Sequence, residues 1–169
     1  MQTTLKTDVT FEGTGLHSGE FVRVVLHPAA ANSGIVFRRS DVTDRPKMRA
    51  DFRDVIVSPL NTRLSNADGV TVSTIEHLMA ALAGCGVHNA LVDIDGPEVP
   101  ILDGRAASFV RGSVAAGLTR LSAPLHAIEI LREVSVSEGG PMATLAPSTT
   151  LQIDFEIDFA DAAIGRQKK

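Results

Sequence analysis

The feature that most constrains this 169-residue chain is a change of hydrophobic period at Ile75. Upstream, the apolar residues come in short runs. Leu5 to Phe11 and Glu20 to Leu26 are rich in Val, Thr and Phe and are separated by Gly13, Gly15 and Gly19, which predicts a strand, a glycine-rich turn and a second strand. Gly34 to Phe37 predicts another strand, and apolar residues at Val55, Ile56 and Val57 begin a series of small strands that continues to Val72. From Ile75 onward, Ile75, Leu78, Met79 and Leu82 fall at i, i+3, i+4 and i+7, one face of a helix ending near Gly84 or Gly86.

Asn89 to Ile94 again reads as a strand. Gly96-Pro97-Glu98-Val99-Pro100 must be an irregular loop, because its two prolines fix φ and remove donors. A second helix is predicted over residues 106–116. Residues 1–121 therefore read as one α+β domain, a β-sheet packed with two helices. Beyond it the pattern restarts: Leu26, Pro28 and Phe37 have counterparts at Leu145, Pro147 and Phe155, offset by 118 to 119 residues. A chance match would look the same. As a duplication, it makes residues 125–169 the truncated beginning of a second domain, an incomplete second sheet without the helix equivalent to residues 75–84.

Composition narrows the function. The chain has no Trp or Tyr and a net charge of −4, and its basic residues are scattered, so neither base stacking nor phosphate-backbone binding is supplied and no nucleic acid is expected. The single cysteine, Cys85, excludes an internal disulfide and a thiolate zinc cluster, and points to a cytoplasmic setting. Met1 to Phe11 alternates polar and apolar residues, unlike a signal peptide or anchor, and no membrane span is expected.

The helix starting near Ile75 carries Glu76 and His77 as its only titratable groups. With Ile75 at zero and about 100° per residue, Glu76 lies about 100° and His77 about 200° from the apolar stripe. His77 thus shares a face with Ala80, Ala81 and Gly84, too apolar for water and expected to be covered by other structure. A metal-bound histidine beside a proton-handling glutamate is one reading. Ser73-x-x-Glu76 is equally a capping box, and His77 equally a packed histidine. No second histidine stands at ligand spacing from His77. His17, in Gly15-Leu16-His17-Ser18-Gly19, is presented by a turn and reads either as a ligand-facing or as a solvent-facing side chain. Asp103, before Gly104, reads as a turn or cap former. Cys85 reads as a small hydrophobe.

Several separated segments together resemble one family: Gly15 to Gly19, Pro28-Ala29-Ala30-Ala31-Asn32-Ser33-Gly34-Ile35, Ser73 to Gly84, Pro97 to Gly104, and Ile157-Asp158-Phe159. Their order and spacing resemble the zinc-dependent UDP-3-O-acyl-N-acetylglucosamine deacetylases of lipid A synthesis. The resemblance implies two similar domains with the active site between them, His77 as one zinc ligand, Glu76 as the general base for deacetylation, and His17 and Asp103 as supporting or substrate-side positions. It also implies that the other two zinc ligands, a histidine and an aspartate on one helix, belong to the second domain and are absent here. The expectation is therefore a UDP-acyl-glucosamine substrate, zinc as cofactor, and little or no activity from this chain alone. Its partner would be either another copy in a homodimer or a chain supplying the missing domain. The alternative is a non-catalytic binding or interaction module built on the first domain.

Overall fold

The computed structural model describes residues Met1–Lys169, which fall into two compact units, Met1–Leu125 and His126–Lys169. The fold is α+β. In the first unit the chain runs through β1 (Thr3–Leu5), β2 (Val9–Thr14), β3 (Phe21–Pro28), β4 (Ile35–Arg39) and β5 (Lys47–Arg49). A 3-10 turn, Phe52–Asp54, leads to β6 (Val55–Ile56), β7 (Arg63–Ser65) and β8 (Thr71–Val72). Helix α1 (Glu76–Gly84), β9 (Ala90–Ile94), helix α2 (Ala107–Ala116) and β10 (Leu118–Arg120) complete it.

The main sheet has the order β2-β3-β9-β4-β5, antiparallel except where β4 and β9 run parallel, in register Val36↔Leu91 and Phe37↔Val92. Alternation along the strands decides its two faces. Val22, Val24 and Leu26 of β3, Phe37 of β4, and Ala90, Val92 and Ile94 of β9 are almost completely buried. Leu78, Ala81 and Leu82 of α1 and Phe109 of α2 belong to the same apolar cluster. Each fully buried Leu, Val or Phe contributes about 1.5–3 kcal/mol relative to exposure. The opposite face carries charge: Asp93 of β9 accepts a bidentate pair from Arg38 of β4, and His27 of β3 stands 2.9 Å from Asp8 and 3.4 Å from Asp93. That face is polar without needing helices to cover it.

Helix α2 packs on α1 and β2, where the Phe109 and Phe11 rings meet edge to face with centroids 4.9 Å apart. Helix α1 stops in a Schellman arrangement. Gly86, at φ +70°, lets its own N–H reach Ala83 O and the N–H of Val87 reach Leu82 O. Ala81 is buried, whereas Ala80, Ala83 and Gly84 are exposed. The covering expected for that face of α1 is thus only partial within this unit, because α2 reaches one side of the helix.

Strands β6, β7 and β8 form a separate three-stranded antiparallel sheet, and β1 pairs with β10. The N-terminus is held by a buried amide network. Gln2 Nε2 donates to Asn32 Oδ1 at 2.7 Å, and Asn89 Nδ2 donates to Gln2 Oε1 at 3.0 Å.

The second unit holds β11 (Val134–Ser137) paired with β12 (Met142–Leu145), and β13 (Glu156–Asp158) paired with β14 (Arg166–Lys168). Leu145 ends β12 as Leu26 nears the end of β3, and Phe155 directly precedes β13 where Phe37 lies inside β4. In the first unit β9 joins β3 to β4; residues 126–169 contain no equivalent of β9, and β12 and β13 are not paired. Their apolar side chains, Val136, Met142, Leu151 and Ile153 among them, are exposed. No helix is long and apolar enough to cross a membrane.

Candidate functional site

The chain enters α1 through an unusual turn. Ser73 is held in a parallel bridge with Glu98, its N–H donating to Pro97 O at 2.9 Å and its carbonyl accepting from Val99 N at 3.0 Å. Thr74 then takes the left-handed conformation, φ +56°, which a β-branched residue adopts only when its surroundings impose it. The helix begins at Glu76 after Ile75, and no side chain caps it.

The capping box suggested by Ser73-x-x-Glu76 is therefore not formed. The Ser73 hydroxyl is occupied by Arg63, whose Nε donates to it at 2.9 Å. The Glu76 carboxylate turns instead to the chain before β7, accepting from Thr62 N–H through Oε2 at 3.0 Å, while Ile75 N–H donates to Thr62 O at 3.4 Å. Thr62 is tied to the start of α1 through both its backbone N–H and its carbonyl. Glu76 is left with Oε1 free of any protein partner.

His77, one residue on, is partly buried. Its Nδ1 is one of two buried side-chain polar atoms without a hydrogen-bond partner, the other being Ser113 Oγ. A buried, unpaired nitrogen costs about 1–3 kcal/mol, so it is a feature that packing alone does not favour.

Glu98 organises this region, although the sequence did not single it out. It is 2% exposed, and its carboxylate accepts from the Thr74 hydroxyl at 2.7 Å, from Ser18 N–H at 2.7 Å and from His17 N–H at 3.1 Å. Burial alone would push this carboxyl up, but the hydrogen bonds from Thr74, Ser18 and His17 outweigh it and hold the group at about 2. One buried charge thus clamps the turn between β2 and β3, the turn into α1, and the proline-bounded loop that carries Glu98 itself. Gly15 belongs to this clamp, since a Cβ there would lie 2.3 Å from Ser18 Oγ and 2.6 Å from Glu98 Oε2. The one signal available in the sequence was a lone acid between two prolines in an otherwise apolar stretch.

The clamp frames a pocket of about 280 Å³ lined by His17, Ser18, Asn61, Arg63, Ser73 and Glu98, together with Thr71 and Pro97. His17 enters it as an exposed side chain whose backbone is anchored. Asp103 is elsewhere: it is exposed, does not line the pocket, and accepts from Arg105 N–H at 3.3 Å in its own turn. It is a turn former and not a helix cap, since α2 starts only at Ala107 after Ala106. Glu76 and His77 do not line the pocket; Glu76 is linked to it only through Thr62, which precedes Arg63, and no hydrogen bond or ion pair joins the side chains of His17, Glu76, His77 and Asp103 to one another.

The arrangement offers a carboxylate with a free oxygen, an adjacent imidazole with an unpaired buried nitrogen, and a polar pocket. It does not by itself fit a catalytic zinc ion. No three His, Cys, Asp or Glu side chains gather closely enough to hold a metal, whereas such a site takes three protein ligands.

Comparison with known proteins supplies the context. Residues 2–169 match the family model LpxC, UDP-3-O-acyl N-acetylglycosamine deacetylase. The chain is similar to a protein of Phenylobacterium zucineum named UDP-3-O-acyl-N-acetylglucosamine deacetylase, 47% identical over 167 residues, covering 98% of this chain and 57% of the relative. Proteins of the same name from Photobacterium profundum and Vibrio cholerae are 44% and 45% identical over 163 residues, each covering 96% of this chain and 54% and 53% of the relative. The chain thus spans about half the length of the curated relatives it matches.

Proposed function

This chain belongs to the UDP-3-O-acyl-N-acetylglucosamine deacetylase family, and from that premise we propose that it carries one part of the active site that removes the acetyl group from a UDP-linked, acylated N-acetylglucosamine in lipid A synthesis. The observation that carries the assignment to particular residues is the start of α1. There Glu76 leaves its capping position and keeps one carboxylate oxygen free, and His77 has a buried Nδ1 with no partner.

In this reading Glu76 is the general base. Thr62 N–H fixes Oε2, so the carboxylate is oriented before substrate arrives and Oε1 is the atom that takes a proton from the attacking water. Water adds its oxygen to the acetamide carbonyl, the carbon–nitrogen bond breaks as the nitrogen takes up the proton lost by water, and acetate and a free amine leave. His77 would be one ligand of a zinc ion held together with residues from outside this chain, and such an ion, when bound, would supply Lewis acidity towards water and the carbonyl. His17 stands on the pocket side and contacts substrate. Asp103, exposed and bonded only within its own turn, supports the loop that follows Glu98.

Because these 169 residues hold one candidate ligand, the purified and dialysed chain should retain far less than one zinc ion and turn over no UDP-3-O-acyl-N-acetylglucosamine. Zinc near one per chain, lost in His77→Ala and accompanied by turnover in the unmodified protein, would contradict this division of the site.

A further inference from the structure

We infer that Glu98 is a positioning residue, setting the proton-handling end of α1 and the His17 turn in one fixed relation. The inference rests on the deacetylase reading for its catalytic meaning, but its geometry stands apart from that reading.

Two segments distant in sequence converge on one buried carboxylate, which a third segment carries. His17 and Ser18 reach it through backbone N–H groups, Thr74 reaches it through its hydroxyl, and Ser73 is bridged to Glu98 by backbone hydrogen bonds on either side. Thr74 pays for this with a left-handed backbone that its branched side chain disfavours, and its hydroxyl bond to Glu98 joins the backbone bonds of Ser73 and Ile75 in holding it there. Two residues later stands Glu76, whose carboxylate meets Thr62 N–H only if the chain leaves Thr74 in that direction. Glu98 does not contact Glu76 or Thr62; it acts on them through Thr74. On its other side the same carboxylate fixes the backbone of His17, whose ring then stands at the pocket beside Asn61 and Arg63. A residue that served only to satisfy the His17 turn would have no need of Thr74, and one that served only α1 would have no need of Gly15 pressed against it.

The test is amide NMR of the 169-residue chain, with neither metal nor substrate present. In Glu98→Gln the N–H signals of His17 and Ser18 should move upfield as the carboxylate is lost, and that of Thr62, which Glu98 does not touch, should move with them. Thr74→Val, which removes one donor and keeps the carboxylate, should shift Thr62 while leaving Ser18 in place, and Thr74→Ser should restore Thr62. A Thr62 signal unmoved in both Glu98→Gln and Thr74→Val overturns the inference, as does a Thr74→Ser protein that behaves like Thr74→Val. Should Glu98→Gln fail to fold, the Thr74 pair decides alone. None of these readouts depends on zinc or turnover, so a failure of the deacetylase reading leaves them interpretable.

Discussion

Replacing Glu98 by glutamine imitates its protonated form, and this makes the cost calculable. The carboxyl has an ordinary value of 4.5 and is held at about 2 in the folded protein. A folded value below the unfolded one means the unfolded chain takes up the proton first as pH falls. The stabilisation is therefore fully present above about 4.5 and is lost as pH drops towards about 2. At about 1.4 kcal/mol per pH unit the difference amounts to roughly 3 kcal/mol at pH 7, of which about 2 kcal/mol remains at pH 3.5. Glu98→Gln should thus be less stable than wild type by roughly 3 kcal/mol at pH 7 and by only about 2 kcal/mol at pH 3.5. Urea unfolding followed by far-UV circular dichroism is the appropriate assay, since the chain has no Trp or Tyr to report by fluorescence. With a slope of about 1–3 kcal/mol per molar urea, the pH 7 midpoint should fall by about 1–3 M with the slope unchanged. Taking the difference between variant and wild type at each pH removes the contributions of other carboxylates. A difference that is the same at both pH values, or that stays below about 1 kcal/mol at pH 7, would refute the argument that charged hydrogen bonds hold Glu98.

Other consequences are simpler to read. Gly15→Ala forces a Cβ against Ser18 Oγ and Glu98 Oε2 and should cost about 1–3 kcal/mol by urea unfolding; a neutral result would mean that the turn relaxes freely. His77→Phe removes a buried, unpartnered nitrogen and should leave the chain as stable as wild type or more stable by up to about 1–3 kcal/mol, and a loss above about 1 kcal/mol would count against an unpaired Nδ1. We also propose that the exposed apolar residues of the second unit, Val136, Met142, Leu151 and Ile153 among them, drive self-association of this chain. Light scattering should then give a mass that rises with concentration, and a strict monomer throughout would count against it.

The sequence made the elements legible where period and punctuation agreed. The alternation in β3 and β9 and the i, i+3, i+4 spacing of α1 report the same buried face, and those elements lie within a residue or two of their expected limits. Strand partners could not be read this way. Nothing local shows that β9 inserts between β3 and β4, because that order is fixed by long-range packing. At the site, Glu76, His77 and His17 were visible as polar groups in unexpected apolar or glycine-rich surroundings. The capping box was misleading because its pattern counts residues and assumes an ordinary approach to the helix, which the left-handed Thr74 does not give. Glu98 is not legible in the sequence for a related reason: a buried carboxylate satisfied by backbone N–H groups leaves no ligand-spaced partners in the sequence.

The central claim is that Glu76 and His77 are this chain's share of a deacetylase site completed by residues outside it. The most direct measurement joins the chain to the remainder of the Phenylobacterium zucineum relative and follows acetate release from UDP-3-O-acyl-N-acetylglucosamine, with Glu76→Gln and His77→Ala beside the unmodified fusion. The account predicts turnover in the unmodified fusion and at least about a 100-fold loss in Glu76→Gln, in the range for removing a general base. It predicts loss of both zinc and activity in His77→Ala. A fusion that releases acetate equally well with both residues replaced would contradict it.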